Sequence, residues 1–483
     1  MSDYLEQSAI LEKMKLSDLP DAVILHILSF LNTKHAVGTC VFSKRWGHLW
    51  KRIPTLMLHS SRFSTIKQFT TFVSKILTLH HTSTALHKLD LDRRGDIEPQ
   101  LLKKILNYVT SHNTHLHELG ISVRGDSSLI MRCVSSCHAL TSLKLSLYPR
   151  GSTHIHNYTK TLFPKSLNFP FLTTLYLENF AFCGSENGCA EPFFAFTKLN
   201  SLVISSCEVK DAQILNISSE TLVNLALHDN LLDFVKFKLS APSLCTFTFT
   251  GDLLQKIYGS SLSSIKQVNI DAQEVLYSED SAMVLLSLLQ DLANVESLAV
   301  TSTTLQILSL VPDLLEVKFH SLCNLKSLEV ELIPLQDGYL SQSIKNVMYK
   351  KAAAKSHEEL LKLCKAFKRR MELPAIPDGI VDFLRQNSPS AEVNITTDYF
   401  IYFNLKQVAS YLKTIWEARR LSTIVHNIIN YGSQFAAPAT AAPAPAAESA
   451  SATAPATVAL PNLLLCHAEK DDKSSIEDKV EKH

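Results

Sequence analysis

Residues 140–145 read LTSLKL, and the same spacing of leucines returns as LTTLYL at residues 172–177 and as LNSLVI at residues 199–204. A strand with this pattern places its leucines on one side, because successive side chains of a strand point to opposite faces. One such strand cannot bury its leucines alone, so neighbouring copies have to stack against one another. The pattern therefore predicts an α/β chain built from stacked strands.

The same or a similar spacing recurs along the first two thirds of the chain. Further copies begin at Leu86, Leu116, Leu222, Leu244, Ile265, Val295, Leu314 and Leu325. The starts are mostly 19 to 32 residues apart, which is the period of a leucine-rich repeat. A coiled coil is the rival interpretation, but β-branched and Thr-rich patches disfavour it. We predict a leucine-rich repeat solenoid with parallel strands on its concave face.

The side chains between the leucines are predicted to line that concave face, and they are the candidate target-binding residues. They are Lys88, Asp90, Glu118, Lys144, Tyr176, Asn224, His228, Gln267, Asn269, Glu316 and Lys318. Their mixed charge suits a protein partner, although any solvated sheet face would have a similar composition. The loops that connect the repeats are the alternative binding site.

The chain before the repeats is predicted to form three short helices. Pro20 suits the first turn of a helix, and Asp21 follows it near the positive end of the helix dipole. One apolar stripe then follows at helical spacing: Val23, Ile24, Ile27, Leu28 and Leu31. A unit of about 40 residues buries too little surface to be robust alone. Part of its apolar surface is therefore expected to contact a partner.

Residues 16–50 resemble an F-box in its plant form, from Leu16-Ser17 through Leu19-Pro20-Asp21 to Ser43-Lys44-Arg45-Trp46. In that family the Leu-Pro pair and the apolar helical face bind a SKP-type adaptor, which links them to a cullin and its RING subunit. The resemblance implies adaptor contacts at Leu19, Pro20, Ile24, Ile27, Leu28, Leu31 and Val41. It also implies that Trp46 is mainly core. Gly38 departs from the family, which often has a basic or longer residue there.

The predicted organisation has six parts. They are an N-terminal extension at 1–15, the F-box at 16–55, the solenoid at 56–335, a helical solenoid end or cap at 336–400, an amphipathic helix at 401–432 and a disordered tail at 433–483. Ala and Pro fill 18 of the 26 positions from 436 to 461, and such a segment cannot build a core. Residues 391–396 alternate like a last strand. No clear run of the FBD domain, which many plant relatives carry, is recognised.

Composition argues against several classes of partner. Lys and Arg number 47 and Asp and Glu number 46, so the chain as a whole has no charge that would favour nucleic acid or an anionic membrane. The ten cysteines are scattered without a Cys-x-x-Cys, and no stretch of 18 apolar residues occurs. The first residues lack the apolar core of a signal peptide. We expect a cytoplasmic or nuclear protein, or one found in both compartments.

Motifs for chemistry are missing from the sequence. It contains no phosphate-binding P-loop, no G-x-S-x-G elbow and no H-E-x-x-H helix. Histidines cluster at His112, His115 and His117 and at His154 and His156, but no Cys or carboxylate completes a zinc spacing. We predict no catalytic residue, no metal and no cofactor.

The resemblance implies a function without catalysis by this chain. The chain would be the substrate-recognition subunit of an SCF-type cullin-RING E3 ubiquitin ligase, holding an unidentified target protein on its repeats. A second hypothesis is an interaction scaffold without ligase function. A third is a small-molecule receptor with a repeat-lined pocket, which the mixed charge of the concave face and the array of about eleven repeats disfavour.

Overall fold

The computed structural model describes most of the chain between residues 19 and 396. The described ranges are 19–80, 84–151, 160–185, 188–229, 236–252, 257–273, 280–311, 314–332, 349, 352–353, 356–369, 376 and 379–396. The predicted N-terminal extension, the amphipathic helix at 401–432 and the tail at 433–483 lie outside them, as do His154 and His156.

A helical module precedes the first strand. Its helices are α1 (Asp21–Ser29), α2 (Thr33–Gly38) and α3 (Trp46–Leu49), with 3-10 turns at Thr39–Val41 and Trp50–Arg52. Asn32 caps α2, because its side-chain oxygen accepts a hydrogen bond from the backbone N–H of His35 at 2.9 Å. The hydroxyl of Thr33 instead accepts from the N–H of Met57 at 2.8 Å. That bond joins the module to the strand that follows.

The rest of the described chain is an array of strands and outer connections. The strands are β1 (Thr55–His59), β2 (Lys88–Asp96), β3 (Glu118–Arg124), β4 (Ser142–Tyr148), β5 (Thr161–Leu162), β6 (Thr174–Glu178), β7 (Phe180–Cys183), β8 (Cys189–Ala190), β9 (Ser201–Ser205), β10 (Glu208–Lys210), β11 (Ile214–Ser218), β12 (Asn224–His228), β13 (Lys236–Ser240), β14 (Thr246–Asp252), β15 (Ile257–Tyr258), β16 (Gln267–Gln273), β17 (Ser297–Thr301), β18 (Ser327–Glu331) and β19 (Glu392–Thr396). The helices of the array are α4 (Ile66–Leu79), α5 (Pro99–Ser111), α6 (Ser127–Ser135), α7 (Asp280–Asp291), α8 (Ser302–Leu308), α9 (His357–Arg369) and α10 (Ile380–Asn387).

Twelve of these strands form one parallel sheet in the order β1-β2-β3-β4-β6-β9-β12-β14-β16-β17-β18-β19. Two smaller sheets, β10-β7-β5 and β15-β13-β11-β8, occupy the connections of the middle repeats. The leucines of the repeat pattern are buried on one side of the large sheet, as Leu143 and Leu145 illustrate. Stacked repeats thus share a continuous core, as the leucine spacing predicts. We call the opposite side of the large sheet the open face.

Phenylalanines fill the core of the middle repeats, whose connections form short strands in the part that the structure describes. Phe163 packs edge-on against Phe180 and Phe182, with ring centroids 5.9 Å apart in both pairs. Phe182 in turn meets Phe193 at 5.4 Å. Large aromatic side chains therefore supply much of the buried apolar surface in these connections.

Ten of the eleven predicted repeat segments contain a strand of the large sheet, and the predicted last strand is confirmed as β19. The segment that starts at Leu314 is the exception, because residues 314–316 form a 3-10 turn and β17 pairs directly with β18. Leu325 begins the next copy only 11 residues later, which is too short for a complete repeat. The prediction that Glu316 and Lys318 line the sheet is therefore wrong, since both lie in an outer connection.

The large sheet begins one strand earlier than predicted, with β1. Ile53, Leu56 and Leu58 carry the spacing of the repeat, with isoleucine at the first position, and all three are buried. The predicted boundary between residues 55 and 56 falls inside this strand. The first repeat strand therefore follows the helical module without a linker.

Candidate functional site

The core of the helical module contains two of the residues that were predicted to contact a partner. Ile24 and Leu28 are fully buried, together with Ala36, Trp46 and Leu49. The helix α1 has only nine residues, and the other two helices of the module are shorter still. The apolar stripe of α1 is therefore needed inside the module, where it packs against the other helices. The structure therefore places Ile24 and Leu28 in the interior and not at the surface, while Trp46 is a core residue as predicted.

Other apolar side chains of the module face solvent. Val23 is 42% exposed, Val41 is 60% exposed and Phe42 is 46% exposed. Pro20 is exposed as well, and Leu19, Ile27 and Leu31 are half-buried. Val23 and Phe42 were not among the predicted contacts. Their exposure could be assigned only after packing had fixed which side of α1, and which side of the segment after the 3-10 turn Thr39–Val41, faces inward.

Arg45 links the segment before α3 to the residues at the start of α1. Its Nε donates to Oδ1 of Asp21 at 2.8 Å, and its Nη2 donates to the backbone oxygen of Leu19 at 2.6 Å. A guanidinium can fix two acceptors at once because its N–H groups diverge from a rigid plane. The segment that leads into α3 is therefore tied to the start of α1.

The module is joined to the array by side chains as well as by sequence. The hydroxyl of Thr55 donates to the backbone oxygen of Ser29 at 3.0 Å. The Nε2 atom of His80 lies 2.8 Å from the backbone oxygen of Ile53, and its Nδ1 atom lies 2.6 Å from the hydroxyl of Tyr108. Burial raises the pKa of Tyr108, which therefore keeps its proton. These contacts favour a fixed orientation of the module relative to the first repeats.

Nine of the eleven candidate target-binding residues lie on the open face. The strand register places them in three rows that run across the strands. The first row contains Lys88, Glu118, Asn224 and Gln267. The second row contains Asp90, Lys144, Tyr176 and Asn269. The third row contains His228 and, on neighbouring strands, Glu178, Ser205, Thr250 and Asp271.

The early strands of the open face carry charges that neutralise one another. Lys88 and Glu118 form an ion pair at 2.7 Å, and the amine of Lys144 lies 5.2 Å from the ring centroid of Tyr176. Burial alone would raise the pKa of Asp90. The hydrogen bond and charge of His59, with the charges of Lys144 and Lys88, outweigh that effect and hold the pKa below its usual value. Asp90 is therefore a firmly ionised part of a balanced network.

The later strands of the open face carry carboxylates that are not balanced in this way. Burial raises the pKa of Asp229, and the negative charges of Asp271 and Glu178 raise it further. Burial and the charge of Asp271 raise the pKa of Glu331 to about 7. The open face thus has a balanced end near the helical module and an acidic region farther along.

The described residues contain no group of three His, Cys, Asp or Glu side chains that could hold a metal ion. The Nδ1 atom of His112 lies 2.9 Å from the backbone oxygen of Tyr108. Within the same part of the chain, no helix is long and apolar enough to cross a membrane.

Comparison with protein-family models matches residues 16–56 to the F-box domain. An F-box/LRR-repeat protein of Arabidopsis thaliana is 27% identical over 325 residues, which are 64% of this chain and 66% of that protein, just under two thirds of its length. A second F-box/LRR-repeat protein from the same plant is 28% identical over 331 residues, covering 64% of this chain and 83% of the relative. An Arabidopsis F-box/FBD/LRR-repeat protein is 27% identical over 339 residues, covering 65% of this chain and 66% of that protein.

Among solved structures, TLR13 in its complex with ssRNA13 matches with a TM-score of 0.24 and 12% sequence identity. The match covers 58% of this chain and 46% of that one.

Proposed function

We propose that this chain, a plant-type F-box/leucine-rich repeat protein, is the substrate-recognition subunit of an SCF-type cullin-RING ubiquitin ligase. One observation carries most of the argument. The module that matches the F-box keeps Val23, Val41 and Phe42 exposed, although it has buried residues enough to hold itself together. Exposed apolar side chains on a small module are best explained by a partner that covers them.

The partner in this proposal is a SKP-type adaptor, which links the chain to a cullin and its RING subunit. The adaptor covers Pro20 at the N-terminal cap of α1, Val23 and Ile27 on α1, and Val41 and Phe42. Arg45 positions the Leu19-Pro20 pair for this contact, because its bonds to Asp21 and Leu19 remove most of the freedom of the chain before α1. Ile24 and Leu28 support the surface from beneath.

The proposed contribution of the chain to ubiquitin transfer is proximity. The F-box fixes one end of the molecule to the ligase, and the repeats hold a target protein near the charged conjugating enzyme. Holding two reactants together raises the effective concentration of the target lysine. The chain supplies no acid, base or nucleophile in this proposal. The cytosol or the nucleus is its proposed compartment.

A pull-down of the purified chain with a SKP-type adaptor tests the proposal. The parent should bind, and variants Val23→Asp and Val41→Asp should not, because a charge on an apolar interface loses its hydration. Met283→Asp is the matched control, since Met283 is 51% exposed on α7 of the repeat array. The variant Leu19→Ala/Pro20→Ala should also lose binding while the fold remains.

Failure of the parent to bind the adaptor would contradict the ligase assignment. The scaffold hypothesis, in which the repeats bind partners without a ligase, would then be preferred. Binding by the parent and by both aspartate variants would leave the ligase assignment in place and move the adaptor surface elsewhere on the module. Circular dichroism of every variant separates loss of binding from loss of fold.

A further inference from the structure

The first strand of the large sheet is covered by helices. Leu56 and Leu58 of β1 face the core and are 0% and 1% exposed, because the helical module packs against this strand. The hydroxyl of Thr33, at the start of α2, also accepts the backbone N–H of Met57. The beginning of the array thus has a helical cover over both its apolar side chains and its main chain.

The last strand of the large sheet has no such cover among the residues that the structure describes. Val393 and Ile395 of β19 stand in register with Leu328 and Val330 of β18, so they occupy the core-facing positions of the repeat. Leu328 and Val330 are fully buried, whereas Ile395 is 46% exposed and Val393 is half-buried. The apolar core of the array is therefore open at β19.

The main chain of β19 also has a free edge within the described ranges. The N–H of Glu392 donates to the backbone oxygen of Lys326 at 2.9 Å, and the backbone oxygen of Thr396 accepts from the N–H of Leu332 at 2.9 Å. These groups point toward β18, so the main-chain groups of the intervening Val393 and Ile395 point away from it. No described strand lies on that side. An uncovered edge of this kind can pair with another chain, and natural proteins protect it.

The helix α10 does not close this end. The ring centroids of Phe383 and Phe319 lie 5.5 Å apart, and the side-chain oxygen of Asn387 accepts the backbone N–H of Phe319 at 2.8 Å. Phe319 belongs to the connection before β18, so these contacts hold α10 against the preceding repeat. They leave Ile395 exposed.

The sequence that follows β19 contains a stretch suited to cover the open end. Residues 405–416 lie outside the described residues, but their apolar side chains recur at helical spacing: Leu405, Val408, Leu412, Ile415 and Trp416. Lys406 and Lys413 lie away from that stripe. A helix of these residues would be about 18 Å long. Packed layers lie about 10 Å apart, so such a helix is long enough to cross the end of the core.

The connection between β19 and this stretch favours the chain itself over a separate molecule as the cover. Residues 397–404 form the connection, and an extended chain of that length spans at most about 29 Å. A stretch tethered at so short a distance has a much higher effective concentration at β19 than a second copy or another protein would have.

We propose that residues 405–416 form a helix that covers the open end of the core at β19, with its apolar stripe against Val393 and Ile395. This cover corresponds to the one that α2 provides at β1, so that helices close the stacked repeats at both ends. The inference concerns the end of the sheet that carries β19, and it does not depend on the ligase assignment.

Hydrogen exchange of the full chain, measured by mass spectrometry, tests this inference. In the parent, residues 405–416 should exchange at least about tenfold more slowly than an unstructured chain. Leu412→Asp/Ile415→Asp should raise the exchange rate of residues 391–396 at least about tenfold, because charges on the covered side would lose their hydration. Lys406→Asp/Lys413→Asp is the matched control, since it introduces the same two side chains away from the stripe and should leave the exchange of β19 as in the parent.

The reciprocal variant Ile395→Asp should raise the exchange rate of residues 405–416. Unchanged exchange in β2, β3 and β4 of each variant separates loss of the cover from loss of the fold, and the exchange of residues 405–416 in the parent decides the matter if a variant does not fold. Rapid exchange of residues 405–416 in the parent, or unchanged exchange of β19 in Leu412→Asp/Ile415→Asp, would overturn the proposal. Light scattering at increasing protein concentration adds one more outcome. If β19 became protected only as a dimer formed, a second copy would be the cover and the proposal would be wrong.

Discussion

The Nε2 atom of His59 lies 2.9 Å from Oδ2 of Asp90, which joins the first strand of the sheet to the second. His59 ends β1, the strand that follows directly from the helical module, and Asp90 stands on β2 beside Met57. The bond thus links the strand nearest the proposed adaptor surface to the balanced end of the open face. Two parts of the molecule with different proposed partners meet at this pair.

Replacing His59 with Ala should make the protein less resistant to acid. The folded-state pKa of Asp90 lies below its ordinary value of 3.8. Asp90 therefore stabilises the fold above that value, and this stability is lost as the pH falls through the folded pKa. Without His59 the folded pKa rises, so unfolding should begin at a higher pH. Circular dichroism during an acid titration measures this, with His87→Ala as the control; equal midpoints for His59→Ala and the parent would contradict the prediction.

Two glycine-to-alanine substitutions should change stability in opposite directions. An added Cβ at Gly120 would collide with Oδ1 of Asp90, whereas the same atom at Gly38 meets nothing within 4 Å. Gly120→Ala should lower the free energy of unfolding by about 1–3 kcal/mol through overpacking. Gly38→Ala should raise it by up to about 1 kcal/mol, because alanine has the better helix propensity. Urea unfolding of the two variants measures both changes in the free energy of unfolding. If Gly120→Ala and Gly38→Ala destabilised the protein equally, the collision with Asp90 would not be the cause.

Arg45→Ala should weaken binding to the adaptor while leaving the fold of the repeats intact. The substitution leaves Asp21 only its longer contact with Arg52 at 3.7 Å and removes the bond to the backbone oxygen of Leu19, so the Leu19-Pro20 pair must be ordered when the adaptor binds. We expect a loss of about tenfold in affinity, or about 1.4 kcal/mol. Arg45→Lys should lose part of the affinity, since lysine cannot reach both acceptors with one planar group. Lys44→Ala is the neighbouring control, and calorimetric titration provides the affinities.

Glu331→Gln should stabilise the protein at alkaline pH. The ordinary pKa of 4.5 rises to about 7 in the folded chain. The folded state therefore holds this proton more tightly, and the parent loses stability as the pH rises from about 4.5 to 7. The ionisable group that faces Glu331 from β16 is Asp271, while β17 and β19 present Thr301 and Thr396.

Urea unfolding at about pH 5 and about pH 8 measures this effect. The parent should be less stable at the higher pH relative to Glu331→Gln, and the variant should show a flatter dependence. Glu329→Gln is the matched control, because Glu329 stands two residues earlier on β18 and is exposed. If the free energy of unfolding changed by the same amount in the parent and in Glu331→Gln between the two pH values, Glu331 would not titrate in this range.

Much of the fold follows from local spacing in the sequence. Leucines two and three residues apart define the buried side of each strand, and their repetition defines the stacking, because neither depends on knowing distant contacts. The same spacing at Ile53, Leu56 and Leu58 was not among the predicted copies, because it straddles the predicted boundary between the F-box at 16–55 and the solenoid at 56–335. Where two copies start 11 residues apart, at Leu314 and Leu325, local spacing could not choose between them. The pairing of β17 with β18 made that choice.

The candidate sites, like the fold, were predicted in part from local sequence patterns and decided in part by tertiary packing. Sequence alone assigned the F-box module and nine of the eleven open-face residues to the correct regions, since strand alternation and motif order are local properties. Tertiary structure alone decided that Ile24 and Leu28 face inward while Val23 and Phe42 face solvent. It alone brought Glu178, Asp229, Asp271 and Glu331 to one edge from positions up to 153 residues apart. Which side of a helix is covered, and which charges meet, depend on packing between distant segments, and no local pattern encodes that.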